Sequence, residues 1–246
     1  AGKTQLAAVC DVDQARLRAL SESLEVESYD DPWRLLQDPD ITLIVEAANK
    51  QVVEDYAEAA LDKGKDVMLM SVGALADEKL YNRLWRKAEE RDVKVYLPSG
   101  AICGLDGVKS AQVEQLSRVE ITTTKHPNSL AGAPYLIKTK IDLDAIDSPT
   151  VIYEGGAREA IEGFPKNVNV SVALSLAAGR DADVELYADP SVERNIHEIE
   201  AEGEFGEIYI RVSNVPSPDN PATSYLAALS ILTLLRNLEQ SLVVGT

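Results

Sequence analysis

The sequence predicts an α/β protein: a Rossmann-type parallel, doubly wound sheet followed by an α+β domain. Over the first hundred residues, short β-branched apolar runs alternate with longer stretches of helical period. From Arg118 the extended segments become alternating and more polar, the pattern of half-solvated antiparallel or mixed strands. At 246 residues, 45% hydrophobic and 26% charged, the chain suits one large domain or two ordinary ones. Its net charge of −17 excludes a nucleic-acid partner held mainly by phosphate contacts. No stretch approaches the roughly 18 apolar residues that cross a bilayer, and no charged segment with an apolar run opens the chain. Cys10 and Cys103 are expected to be free thiols of a cytoplasmic protein, with Cys103 a small buried filler. No CxxC pair or His/Cys cluster suggests a metal site.

In the first part, strands are expected at residues 6–12, 41–48, 66–72 and 94–98, with a shorter extended piece at 26–29. Their near-continuous apolar character implies burial on both faces. Asp13 is a fitting N-cap, and Leu17, Leu20 and Leu24 then form one apolar stripe toward the sheet. Asp31-Pro32 opens a second helix with proline at the first helical position. Residues 50–63 form a third that stops at Gly64, and residues 77–91 a fourth, acidic at its start and basic at its end.

In the second part, strands are expected at residues 118–125, 151–154, 182–188, 194–202 and 207–213, interrupted by helices at 157–163 and about 167–178. The sheet is expected to be covered on one face. An apolar helix over residues 224–238 is expected to pack back on the first domain. The dinucleotide-binding domain would then comprise residues 1–100 with 225–246, and the α+β catalytic and oligomerisation domain residues 101–224.

A Rossmann-type sheet places an acidic residue at the end of its second strand, where it bonds the adenosine ribose, and Asp11 stands there. A carboxylate at that point repels a 2′-phosphate and favours NAD over NADP. Equally, Asp11 or Asp13 caps the next helix. No first strand or glycine-rich phosphate turn precedes Leu6, so about 25 further residues, the remainder of a βαβ unit, are expected upstream. Gly73 and Gly100 follow the carboxyl ends of strands, where open α/β sheets bind ligands, and would let a nicotinamide approach the main chain; either is equally an ordinary turn glycine.

The chain has two histidines. His197 shares a strand face with Asn195, Ile199 and Ala201, so it points to the more apolar side. That is the setting of a hydrogen-bonded core histidine or of a general acid–base group titrating near 6.5. His126, in a loop beside Pro127, reads as a surface residue within reach of a cleft.

Seven blocks, in order, carry a resemblance: residues 45–49 (VEAAN), 71–77 (SVGALAD), 98–106 (PSGAICGLD), 164–170 (FPKNVNV), 195–199 (NIHEI), 203–207 (GEFGE) and 220–226 (NPATSYL). Together they are highly specific and span essentially the whole chain, which resembles the L-aspartate dehydrogenase family. The resemblance implies NAD(P)-dependent oxidation of L-aspartate to iminosuccinate, which water converts to oxaloacetate and ammonia. It also implies a homodimer or larger assembly and an imine usable for NAD biosynthesis. It makes His197 the catalytic histidine, and Ala101 with Asn167, or Asn169 as close second, cofactor contacts. From the same blocks Ala47, Ala48, Asn49, Ser71, Gly73, Ser99 and Gly100 are carried as cofactor-binding.

Two substrate carboxylates require cationic or N–H partners. Lys166, beside the cofactor asparagine, ranks first, followed by Lys125, Thr223 and Ser224; the ordinary alternatives are solvated lysines and a helix cap. Rival readings are a two-domain reductase acting on homoserine or dihydrodipicolinate, and a catalytically silent nucleotide-sensing or scaffold protein.

Overall fold

A computed structural model describes residues 4–165, 168–218 and 223–245. By backbone contacts the chain divides into Ala1–Leu97 and Pro98–Thr246. The terminal helix, expected with the first domain, therefore groups with the second unit.

The first unit alternates strand and helix: β1 (Ala8–Cys10), α1 (Gln14–Leu24), β2 (Glu27–Tyr29), α2 (Pro32–Gln37), β3 (Leu43–Glu46), α3 (Lys50–Asp62), β4 (Asp66–Leu69), α4 (Glu78–Arg91) and β5 (Val95–Tyr96). All pairings are parallel, in two separate ladders, β1–β2 and β3–β4–β5. The sequence signals at the helix ends hold. Asp13 accepts from the Ala15 and Arg16 N–H groups, Asp31 from Trp33, and Asp77 from Lys79 and Leu80. Gly64 takes a left-handed φ of +74° after α3.

Burial is more selective than the apolar runs predict. Only β4, with a ladder partner on each side, is closed along most of its length, whereas the edge strand β3 leaves Val45 exposed. Likewise, α1 buries Leu17 but leaves Leu20 and Leu24 exposed, because the ladder beneath it is three residues long and two strands wide.

The second unit comprises α5 (Leu105–Ala111), β6 (Leu116–Lys125), α6 (Pro134–Thr139), β7 (Thr150–Gly156), α7 (Ala157–Gly163), α8 (Asn169–Ala178), β8 (Asp183–Ala188), β9 (Asn195–Gly203), β10 (Gly206–Asn214) and α9 (Tyr225–Glu239). The five strands form one mixed sheet in the order β10-β9-β6-β8-β7, parallel only between β6 and β8. Its inner face carries Val119, Ile121, Val184, Leu186, Ile199 and Ala201, all at most 1% exposed. On the outer face Arg118 bridges Glu120, Glu200 and Glu202. The sheet is thus covered on one face, as its alternation predicts.

Helix α8 packs against β6 and α5 and is buried on nearly every side, so it is a core helix without a polar stripe. Phe164, fully buried, meets the rings of Tyr135 and Tyr153 just ahead of it and anchors the approach to α8. Helix α5 was not legible: Gly104 at its N-cap and Gly107 inside it are poor helix formers, and Val108 and Ala111, buried beside α8, hold it instead. Cys103 corrects an expectation. It is exposed, because its neighbour Ile102 takes the inward position and is fully buried.

Candidate active site

In the first unit the carboxyl ends of β3 and β4 are tied by Glu46, which is 6% exposed. Its Oε1 accepts from the Ala48 N–H at 2.7 Å and the Ser71 hydroxyl at 2.9 Å, and its Oε2 accepts from the Ser71 N–H at 2.9 Å. Three donors on a buried carboxylate fix the loops that carry Ala47, Ala48 and Ser71, with both Ala47 and Ala48 exposed at the strand ends. Sequence reasoning missed Glu46 as a site residue, although an acidic group closing an apolar strand is the available signal. Asn49 spends its side chain on the α3 N-cap, accepting from the Val52 N–H. Gly73 is buried inside a short 3-10 turn, Val72–Ala76, rather than lying on an open rim.

Asp11 follows β1, accepts from the Asp13 N–H at 2.9 Å and lies 3.7 Å from Arg16. Helix capping falls to Asp13, which leaves the Asp11 carboxylate outside the cap.

In the second unit, Ser99, Gly100 and Ala101 form a turn in which Gly100 adopts φ +65°, a conformation that favours glycine. A Cβ there would meet Val170 at 3.9 Å, an ordinary contact, so no neighbour presses on this backbone. Two side chains hold the turn. The Gly100 N–H donates to Ser230 Oγ on α9 at 3.2 Å, and Asn214 Nδ2 donates to the Ala101 carbonyl at 2.8 Å. Asn214, 4% exposed at the end of β10, is a site residue that sequence reading missed, because its partner lies 113 positions away.

Asn214 pairs in register with Asn195, two residues before His197, so the turn and the histidine lie toward the same end of the sheet. His197 is 2% exposed and points inward beside Ile199, as its alternation predicts. Across the ladder it faces Thr123, whose Oγ1 lies 2.9 Å from His197 Nδ1. Lys125, two positions further on the same face of β6, is 8% exposed. Burial pushes its ammonium down to about 8. Burial, and then the charge of Lys125, push His197 down to about 3. This corrects the expectation of an imidazole titrating near 6.5: in the free protein His197 is neutral across the physiological range.

Stability should register that depression. Between about pH 6.5 and 3 the unfolded chain binds a proton that folded His197 refuses, so this residue's contribution falls as the solution is acidified through that window. Urea titrations from pH 7 to 4 should show a steeper loss in the wild type than in His197→Gln; parallel curves would refute the depressed value.

Other expected residues are placed as follows. Asn169 opens α8. Ser224, 8% exposed, occupies the N-cap position of α9 without a side-chain cap bond, beside the partly buried Thr223. Lys166 and Asn167 lie outside the described residues. His126 accepts from the Asn128 N–H and caps the 3-10 turn Pro127–Leu130. Among the described residues, no group of three or more His, Cys, Asp or Glu could hold a metal ion, and no helix is long and apolar enough to cross a membrane.

The arrangement is therefore a neutral imidazole and a buried lysine on one sheet face, toward the end where Asn214 and Ser230 hold the 99–101 glycine turn. Comparison with known proteins gives a consistent outcome. The family model described as "Aspartate dehydrogenase, C-terminal" matches residues 106–238, and "Homoserine dehydrogenase, NAD binding domain" matches residues 1–98. The chain is 50% identical to an L-aspartate dehydrogenase of Methanococcoides burtonii, over 84% of this chain and 77% of that protein. It is 44% identical to one of Methanosarcina acetivorans, over 98% and 90%. A crystal structure of aspartate dehydrogenase from Thermotoga maritima superposes with a TM-score of 0.77 at 27% identity, covering 98% of this chain and 100% of that one.

Proposed function

The chain belongs to the L-aspartate dehydrogenase family, and on that premise we propose that His197 and Lys125 are the substrate-facing pair of an enzyme that oxidises L-aspartate with a nicotinamide cofactor. The observation that carries this reading is the burial of a cation and a neutral imidazole on one face of the same sheet. A dicarboxylate needs a cationic partner, and an ammonium held beside the imidazole on this face offers one.

The cofactor fits the residues present. At Gly100 an added Cβ would meet Val170 only in ordinary contact, which leaves the main chain approachable there, and in the first unit the Glu46-tied loops hold Ala47 and Ala48 exposed at strand ends of the kind where dinucleotides bind. From the family resemblance, Ala47, Ala48 and Ser71 in the first unit, and Ser99, Gly100, Ala101, Asn167 and Asn169 in the second, are each carried as cofactor contacts. When bound, the nicotinamide supplies the acceptor for the hydride that leaves Cα. The Asp11 carboxylate, outside the helix cap, supports NAD over NADP by repelling a 2′-phosphate.

The chain's own residues do the rest. Lys125 holds one substrate carboxylate by a charge-assisted bond that its apolar surroundings strengthen. His197 meets the amine carbon's substituents and the water that later attacks the imine. Asn214 and Ser230 keep the 99–101 turn in one conformation, which is positioning and not chemistry. Lys166, Thr223 and Ser224 are further candidates for the second carboxylate. The family resemblance and the low cysteine count support a cytoplasmic homodimer whose imine product is available for NAD biosynthesis.

Purified protein with NAD or NADP and L-aspartate or homoserine, and with NADH or NADPH and dihydrodipicolinate, tests the assignment. L-Aspartate is expected to be the substrate turned over, with oxaloacetate and ammonia recovered in equal amounts and NAD preferred. Turnover of homoserine without L-aspartate would overturn the substrate assignment, and absence of NADH binding by a chain shown to be full length would favour a silent scaffold.

A further inference from the structure

Thr123 has no assigned role, yet among the described residues it is the hydrogen-bond partner of the His197 ring. It is fully buried, it stands opposite His197 in the β6–β9 ladder, and its Oγ1 lies 2.9 Å from Nδ1. Among the described residues this is the one hydrogen bond of the Thr123 hydroxyl.

Two proton arrangements fit that distance. If Nδ1–H donated to Oγ1, the hydroxyl proton would be left buried with no acceptor, and an unsatisfied buried donor is the costly outcome. If the hydroxyl donates to the Nδ1 lone pair, the hydroxyl proton is placed and the ring hydrogen goes to Nε2, which among the described residues is not sealed from solvent. The second arrangement fills Nδ1, so the ring carries its own hydrogen on Nε2.

We propose that Thr123 is a positioning residue that holds His197 in the Nε2–H tautomer, so that the imidazole meets the substrate as a neutral hydrogen-bond donor and not as a base at Nε2. This rests on the reading of His197 as the substrate-facing residue. The donor suits an oxygen that gains negative charge, either a substrate carboxylate or the oxygen of the water adduct formed from the imine. An imidazolium would need a second proton at Nδ1, where the hydroxyl proton already points. Beside the Lys125 charge in a dry environment, the neutral ring is also the favoured form.

Histidine-selective nitrogen-15 labelling of the free enzyme at pH 7 reads the tautomer directly, and with only two histidines the spectrum is assignable from a His126→Gln variant. The wild type is expected to show an unprotonated Nδ1 and a protonated Nε2 for His197. Thr123→Val, which keeps the shape and removes the hydroxyl, should mix the two tautomers and lower kcat about tenfold, the scale of one hydrogen bond, with NADH affinity unchanged. Thr123→Ser should restore both tautomer and rate. A protonated Nδ1 in the wild type, or a pure Nε2–H tautomer in Thr123→Val, would overturn the proposal. The wild-type spectrum decides even if the valine variant does not fold. The substrate-facing reading fails separately, if His197→Ala turns over like the wild type while the wild-type spectrum still shows the Nε2–H tautomer.

Discussion

His197→Ala is expected to lower turnover of L-aspartate by about two to four orders of magnitude, the range spanned by loss of a positioned acid–base group or of one preorganised donor. NADH affinity should be nearly unchanged, since the residues proposed to hold the cofactor lie at the 99–101 turn, at α8 and at the Glu46-tied loops. Burial of the ring at 2% exposure means that truncation also leaves a small cavity under β9 and removes the partner of Thr123. Folding is therefore monitored beside kcat, and His197→Asn serves as the less disruptive companion. A stable variant with wild-type turnover would return His197 to the role of a core histidine satisfied by threonine.

The second large effect concerns Lys125. Lys125→Met keeps the length and apolar stem but removes the charge. It is expected to raise KM for L-aspartate by about two orders of magnitude, in line with loss of one partner from a desolvated charge pair. The penalty should be selective: a substrate analogue whose side-chain or α-carboxylate is replaced by a neutral amide should lose far less on going from wild type to variant. The wild type should also show a pH dependence with a defined sign. Lys125 is cationic below about 8 and neutral above it, so KM for L-aspartate should climb as the pH rises past 8, and the climb should vanish in Lys125→Met. A KM independent of pH between 7 and 9.5, or a methionine variant with wild-type KM, would remove Lys125 from the substrate site. In a chain of net charge −17, a buried cation of this kind gives a dianionic substrate a local attraction that the surface as a whole does not.

Much of the fold could be read from local rules. Asp13, Asp31 and Asp77 cap the helices they precede, and the alternation of β9 turns His197, Ile199 and Ala201 inward. The elements that escaped are those whose local signals oppose them, such as α5 with its two glycines, held by Val108 and Ala111 in the core. The site divides the same way. His197 and Lys125 are chemical types whose spacing in a strand fixes their face, so the sequence exposes them. Thr123, Glu46 and Asn214 act through partners far along the chain, 74, 25 and 113 positions away, and an alternating strand offers no sign of which of its polar residues will meet one.

The sequence by itself determined the strand–helix order, the caps, the inward face of β9 and the identity of the chemical groups, because each follows from periodicity or from a bond to a near neighbour. Only the tertiary structure decided that a threonine sits across from the imidazole and that the imidazole stays neutral near pH 7. Ladder register and desolvation set both, and they arise only when distant segments pack together and exclude water.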